Sequence, residues 1–261
     1  MTNSTDSTAR FRDLHRRPPL VLPNAWDPAS AVAVVGAGAQ AVATTSAGVA
    51  WAAGVPDAGG LRRADVVRVV RLIAAVVDVP VTADVEDGYG RGPDDVRRTV
   101  VEVLAAGAVG VNLEDRVDGV LLDAAEQAER LAAARSAGEF VLNARTDTFL
   151  SGAEGLAETL KRAERYAEAG ADVLFVPGVV DPATIRALVA GPLPLNVMAH
   201  PGAPTVAELA ALGVTRISVG SAIAQAAYGL AAAATRELLG SGTYSRLEGG
   251  LGYGELNDAL A

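Results

Sequence analysis

The chain has 261 residues, half of them hydrophobic but only 4% aromatic, so any core must be built from Ala, Val, Leu and Ile. A formal net charge of −9 works against phosphodiester backbones and anionic lipid headgroups, which disfavours nucleic-acid or membrane partners. There is no Cys and there are two His, His15 and His200, which removes disulfides, thiolate nucleophiles, Cys-ligated metals and multi-histidine metal sites.

In chain order, residues 1–9 are polar, rich in Ser and Thr, and lack the apolar segment of a secretory signal. They read as disordered, within an N-terminal arm of residues 1–19. Eight short Val-rich runs follow, at 20–24, 41–45, 79–85, 108–113, 140–144, 172–176, 193–197 and 215–219, separated by segments with helical spacing of Ala, Leu and Arg. Gly38, Gly107, Gly170 and Gly213 stand where four of these helices should end, directly before the next strand. Eight βα units without a linker predict an α/β fold, a (β/α)8 TIM-type barrel over residues 20–240. An open doubly wound sheet is disfavoured because no Gly-rich fingerprint follows the first strand; Gly36-Ala37-Gly38 ends a helix. Residues 222–239 form a long Ala-rich helix and 241–261 a tail, a C-terminal extension suited to packing on another subunit. No uncharged apolar run reaches membrane-spanning length, so a soluble cytoplasmic protein is the expectation.

In a parallel barrel the chemistry lies at the C-terminal ends of the strands. Asp84 and Glu86 are two apart, which on a strand places both on one side, and Glu114 arrives from the neighbouring strand. Three carboxylates in one cavity repel each other unless a cation neutralises them, and hard oxygen donors select Mg²⁺ or Mn²⁺. The competing reading is that such an acid caps a helix or pairs with an Arg, and this is the favoured reading for Asp87 and Asp115. Arg145 is suited to capturing a carboxylate or phosphonate; a salt bridge to Glu114 or Asp147 is the alternative, and both can hold together. Ser46 with the backbone of Ala47 and Gly48 reads as an anion nest. His200, before Pro201-Gly202, is either an acid or base at the mouth or a loop histidine with no role. Lys161, the single lysine, lies within a helix, which argues against Schiff-base chemistry.

Taken together, Leu22-Pro23-Asn24-Ala25-Trp26-Asp27, Thr45-Ser46, Pro56-Asp57, the acid-rich segment 84–90, residues 112–115, and Arg145 within Asn143-Ala144-Arg145-Thr146-Asp147 resemble the isocitrate lyase and phosphoenolpyruvate mutase superfamily over residues 20–228. The resemblance implies a Mg²⁺ (or Mn²⁺) site for a small carboxylate substrate, an α-oxo acid or its enolate. Asp84 would be the direct ligand, with Glu86 and Glu114 acting through water. It further implies catalytic roles for Arg145, Glu114 and Asp57, substrate contacts from Ser46, Ala47, Gly48, Trp26, Asn196 and His200, and a homotetramer that exchanges a C-terminal helix. The lyases of the superfamily carry a Lys-Lys-Cys-Gly-His motif after the fourth strand, and the mutases carry Lys and Asn there. Residues 116–123 contain none of Cys, Lys, His or Asn, so thiol-dependent isocitrate cleavage and standard mutase activity are disfavoured. The expectation is a Mg-dependent enzyme cleaving a C–C (or P–C) bond of a small α-oxo or hydroxy acid through an enolate, with Arg116, Asp118 and His200 as candidates for the missing proton-transfer group. The alternatives are a barrel that binds metal and ligand without turnover, a phosphoenolpyruvate mutase-type isomerase, and an unrelated metal-dependent aldolase.

Overall fold

Pro23 divides the first apolar run, because a residue without an N–H cannot continue the ladder. In the computed structural model, which describes residues 4–17, 19–152 and 155–261, the run becomes two short strands, β1 (Leu20–Leu22) and β2 (Asn24–Ala25). The elements before and around it are α1 (Ser4–His15), α2 (Pro28–Gly36), β3 (Val42–Thr44), α3 (Ser46–Ala52), α4 (Arg63–Val76), β4 (Val81–Asp84), α5 (Pro93–Ala105) and β5 (Gly110–Glu114). A hairpin of β6 (Arg116–Val117) and β7 (Val120–Leu121) leads to α6 (Ala124–Arg135), β8 (Val141–Arg145), α7 (Gly155–Glu168) and β9 (Val173–Phe175). The chain ends through α8 (Pro182–Val189), β10 (Leu195–Met198), α9 (Val206–Ala211), β11 (Arg216–Ser218), α10 (Ala222–Gly240) and α11 (Tyr253–Leu260).

All pairings in the large sheet are parallel, in the order β1-β11-β10-β9-β8-β5-β4-β3-β2. The two ends of that order are joined covalently at Pro23, whose carbonyl accepts a hydrogen bond from Ala43 N–H at 3.1 Å, so the sheet closes on itself as the expected eight-stranded barrel. Every predicted strand is found, with ends that differ from the expected ones by a residue or two: several start later, and those reaching Ala25, Glu114, Arg145 and Met198 run one residue further. Gly38, Gly107, Gly170 and Gly213 all have positive φ, as a helix-ending glycine requires.

The helices form because apolar residues recur every three or four positions: Val66, Val70 and Ile73 on α4, and Val96, Val100 and Val103 on α5, are buried against the strands. Asp27 starts α2 through a reciprocal capping box with Ser30. No helix among the described residues is long and apolar enough to cross a membrane.

The expectation of a disordered arm does not hold over the described part of residues 1–9. Residues 4–9 belong to α1, and residues 1–3 lie outside the described residues. Phe11 on this helix is fully buried with Leu20, Leu22, Ala43, Val109, Val141 and Val173 and plugs the N-terminal end of the barrel. Gly110 makes room for it: a Cβ there would stand 2.9 Å from the Phe11 ring. Tertiary burial of one aromatic face overrides the polar composition of the arm.

Candidate active site

β4 delivers Asp84 to the mouth, and its carboxylate accepts from Ser46, Asn112 and Glu86, the last through its N–H at 3.4 Å from Oδ1. Ser46 N–H donates to Oδ2 at 3.1 Å, Asn112 Nδ2 donates to Oδ1 at 3.0 Å, and Asn143 Nδ2 donates in turn to Asn112 Oδ1 at 3.0 Å. The backbone N–H of Ser46, which precedes the N–H groups of the expected nest, therefore faces Asp84. Ala47 also lines the cavity. Gly48 faces elsewhere: a Cβ there would lie 2.8 Å from Trp26 Cβ and from Thr45 Cγ2, so its smallness serves packing. Trp26 stacks near Tyr228, with ring centroids 6.3 Å apart, and is not among the residues lining the mouth.

Glu86 reaches the site by a different route from the one expected. The strand ends at Asp84 and Glu86 has φ 49°, so strand alternation does not aim it; a left-handed turn through Glu86, Gly88 and Tyr89 does. Its carboxylate accepts from Tyr89 OH at 2.8 Å and from Gly59 N–H at 3.1 Å. The strained turn is held from beneath. Thr99 Oγ1 donates to Gly88 O at 2.6 Å, Arg63 Nη2 donates to Tyr89 O at 3.2 Å, and buried Arg130 donates to the carbonyls of Asp87, Gly90 and Arg91. Asp87 closes a local turn on Tyr89 N–H rather than capping a helix.

Arg145, level with Glu114 across the β5–β8 ladder, forms an ion pair with Glu114 (Nη1 to Oε2, 2.8 Å) and chelates Asp147 at 2.6 and 3.0 Å. Both pairings anticipated for it are made. Asp115 behaves as expected of a structural acid. It is fully buried, accepts from Arg162 and Tyr166, and uses its other oxygen to fix Asp147 N–H at 2.9 Å. Asp57 borders the same mouth, and Asn196 lies deeper among the lining residues. His200 is exposed, with Nδ1 at 3.0 Å from Pro201 O, and the structure does not bring it to the cavity. The segment after Asp115 is the β6–β7 hairpin. Arg116 and Asp118 do line the rim, but Arg116 Nε donates to Gly119 O and Asp118 pairs with Arg91.

Burial raises the pKa of Glu114 well above the usual carboxylate range; Arg145 opposes the rise, and the charges of Asp147, Asp84 and Glu86 add to it. Burial raises Glu86 as well, with further contributions from Asp84 and Asp57 against the bond from Tyr89. For Arg145 burial works against the charged form, yet Glu114 and Asp147 raise its pKa overall. A cluster whose acids repel one another is short of positive charge, and its donors are hard oxygens only, so it fits Mg²⁺ or Mn²⁺. Among the described residues no three His, Cys, Asp or Glu side chains stand together as a direct ligand set.

Several participants were not anticipated. Tyr89 and Asn112 hold the carboxylates by hydrogen bonds and Asn143 holds Asn112, roles that leave no charge signal in sequence. Arg216 lines the lower cavity, and its signal was readable: a cation inside a predicted strand, between Thr215 and Ile217.

A closed barrel with convergent carboxylates and a clamped guanidinium at its C-terminal mouth defines a class, the barrel enzymes that stabilise oxyanions electrostatically. A family model for phosphoenolpyruvate phosphomutase matches residues 11–239. Among relatives, an uncharacterized protein of Mycobacterium tuberculosis is 39% identical over 215 residues, 81% of each chain. The probable 2-methylisocitrate lyase 2 of Corynebacterium glutamicum is 37% identical over 67% of this chain and 61% of its own length. Among solved structures, a putative phosphonomutase from Burkholderia cenocepacia is 45% identical with a TM-score of 0.86, covering 92% of this chain and 100% of that one. A phosphonopyruvate hydrolase in complex with oxalate and Mg²⁺ has the same TM-score of 0.86 at 26% identity, over 97% and 94% of the two chains. The chain belongs to the phosphoenolpyruvate phosphomutase family, within the isocitrate lyase and phosphoenolpyruvate mutase superfamily, and is an enzyme of that class.

Proposed function

We propose that this protein is a Mg²⁺- or Mn²⁺-dependent lyase that cleaves a C–C bond of a small α-oxo or hydroxy carboxylic acid through an enolate. The carrying observation is the convergence of Asp84, Glu86 and Glu114 opposite Arg145. Asp84 would hold the cation directly, with Glu86 and Glu114 outside it through water and Asp57 nearby. A divalent cation bound there supplies Lewis-acid stabilisation of oxyanion charge as the bond breaks.

The chain's own residues supply the remainder. Arg145 gives two of its five N–H groups to Asp147 and pairs with Glu114 through Nη1, which fixes its plane and leaves N–H groups for an enolate oxygen. Ser46 and Ala47, beside Asp84, border the place of the substrate carboxylate, and Asn196 lines the depth beyond. Glu114, paired with Arg145 at 2.8 Å, holds the guanidinium at the mouth. The short hairpin after β5 offers no thiol, lysine or histidine, so a carboxyl of the mouth is the proton donor in this reading. A homotetramer completes the proposal, supported by the exposed apolar side chains Leu238, Leu239, Leu247, Leu251 and Tyr253 along the C-terminal extension.

The same hairpin also favours a second reading, a barrel that binds a metal and an oxo acid without turning it over. One experiment separates the two: NMR observation of product formation from oxaloacetate, phosphonopyruvate, isocitrate and alkylmalates with Mg²⁺. At least one substrate should be consumed, and Asp84→Ala should reduce the rate by roughly 1,000-fold or more. Activity that survives Asp84→Ala contradicts the metal assignment; ligand binding without turnover of any substrate favours the second reading.

A further inference from the structure

The loop that follows β4 is fastened by its carbonyls. None of the five from Asp87 to Arg91 accepts from a backbone N–H among the described residues, and every one accepts from a side chain. Thr99 on α5 takes the carbonyl of Gly88 and Arg63 on α4 that of Tyr89. Arg130 on α6 takes the other three, those of Asp87, Gly90 and Arg91. Arg130 is 1% exposed, its Nε donates to Gln127 Oε1 at 3.2 Å, and so all of these acceptors are uncharged. It does not line the mouth.

A buried guanidinium is costly, and burial here works against its charge, opposed by the charges of Asp87, Glu126 and Asp95. What the fold gains is a set of charge-assisted bonds, which are stronger than bonds between neutral groups. The loop needs them. Glu86, Gly88 and Tyr89 have φ of 49°, 93° and 57°, and two of these three left-handed residues carry side chains. The same two meet at the mouth, where Tyr89 OH donates to Glu86 Oε1 at 2.8 Å. Gly88 and Gly90 let the backbone lie on α5: a Cβ would stand 2.8 Å from Val96 Cγ2 at the first and 2.4 Å from Asp95 Cβ at the second. Carbonyls held by three helices on one side and strained residues facing the mouth on the other fix the direction in which Glu86 points.

We propose that Arg130 is a positioning residue for the candidate cation site: by holding three of the five carbonyls it fixes the strained turn that aims Glu86, and through Glu86 it sets the affinity for the divalent cation. The inference deepens the proposed function and rests on it for the cation. Arg130 itself touches neither the cation nor the substrate.

The test is calorimetric titration of Mn²⁺ into the full chain as wild type, Arg130→Met, Glu86→Gln and the double variant. Each single variant should weaken Mn²⁺ binding about 10-fold, and the double variant by about the same 10-fold, because both changes remove one contribution. Arg130→Lys, which keeps the charge but not the fork, should fall between wild type and Arg130→Met. Leu131→Ala, which truncates a fully buried neighbour on α6, should lower the melting temperature and leave the Mn²⁺ affinity unchanged. Losses that multiply to about 100-fold in the double variant, an unchanged affinity in Arg130→Met, or an equal loss in Leu131→Ala would overturn the assignment. Hydrogen exchange of the metal-free proteins separates this from the metal reading itself. If wild type binds no Mn²⁺, faster exchange confined to residues 86–92 in Arg130→Met supports the hold on the turn and counts against the cation, while unchanged exchange there overturns the hold as well. If Arg130→Met does not fold, Arg130→Lys carries the same cycle.

Discussion

Glu114 and Asp115 are neighbours with opposite tasks, and the strand decides which is which. Glu114 faces the mouth and Arg145, while Asp115 turns outward under α7, where Arg162 and Tyr166 hold it and it fixes the Asp147 backbone that in turn carries the clamp on Arg145. Asp115→Ala would leave buried Arg162 with Glu158 alone and would take the acceptor from Tyr166 OH and Asp147 N–H, and should cost about 3–5 kcal/mol in urea unfolding, whereas Asp118→Ala, which breaks an exposed pair with Arg91, should cost about 0–1 kcal/mol. Comparable losses in the two variants would contradict this division. Asp84, Glu114 and Arg145 were legible in the sequence because a charge at the end of an apolar strand has few reasons to be there. Glu86 was named for the wrong geometric reason, since the chain leaves the strand after Asp84 and a left-handed turn aims the side chain. Asn112 and Asn143 were not legible as site residues, because an uncharged amide at a strand end looks the same whether it orients a carboxylate or faces solvent.

At the scale of elements, α1 is the departure from expectation with the clearest physical consequence. Phe11, Leu14 and His15 are spaced as one helical face, a signal outweighed by the Ser- and Thr-rich residues before them. His15 donates through Nδ1 to Phe11 O at 2.8 Å and leaves Nε2 buried without a partner, so the ring is held neutral. Burial, reinforced by the charge of Arg216, lowers its pKa from 6.5 to about 4. Between those values the unfolded chain binds the proton that the folded chain refuses, so this contribution to stability is whole above pH 6.5 and is lost as the pH falls towards 4. The melting temperature should therefore drop across that interval, and His15→Gln should flatten the drop; an unchanged slope in the variant would contradict the assignment. The β6–β7 hairpin is the other informative element. Its composition showed what it lacked, but its tight antiparallel form was not read, because two-residue strands carry no periodicity.

For the whole molecule, barrel closure was the most legible feature, since eight repeats of one supersecondary pattern constrain each other and each helix-ending Gly marks a boundary. The polar lumen was less legible: inward-facing Thr82, Asn112, Asn143, Asn196 and Arg216 each alternate with apolar residues that face the helices, and one sequence read strand by strand does not show that they share a space. The acidic mouth stands over that polar lumen, in which the Arg216 guanidinium is buried. The most direct test of this account is calorimetric titration of Mn²⁺ into wild type and Asp84→Ala. The account predicts one ion per chain in wild type and an affinity reduced roughly 100-fold or more in the variant. Equal Mn²⁺ affinity in the two proteins would contradict it.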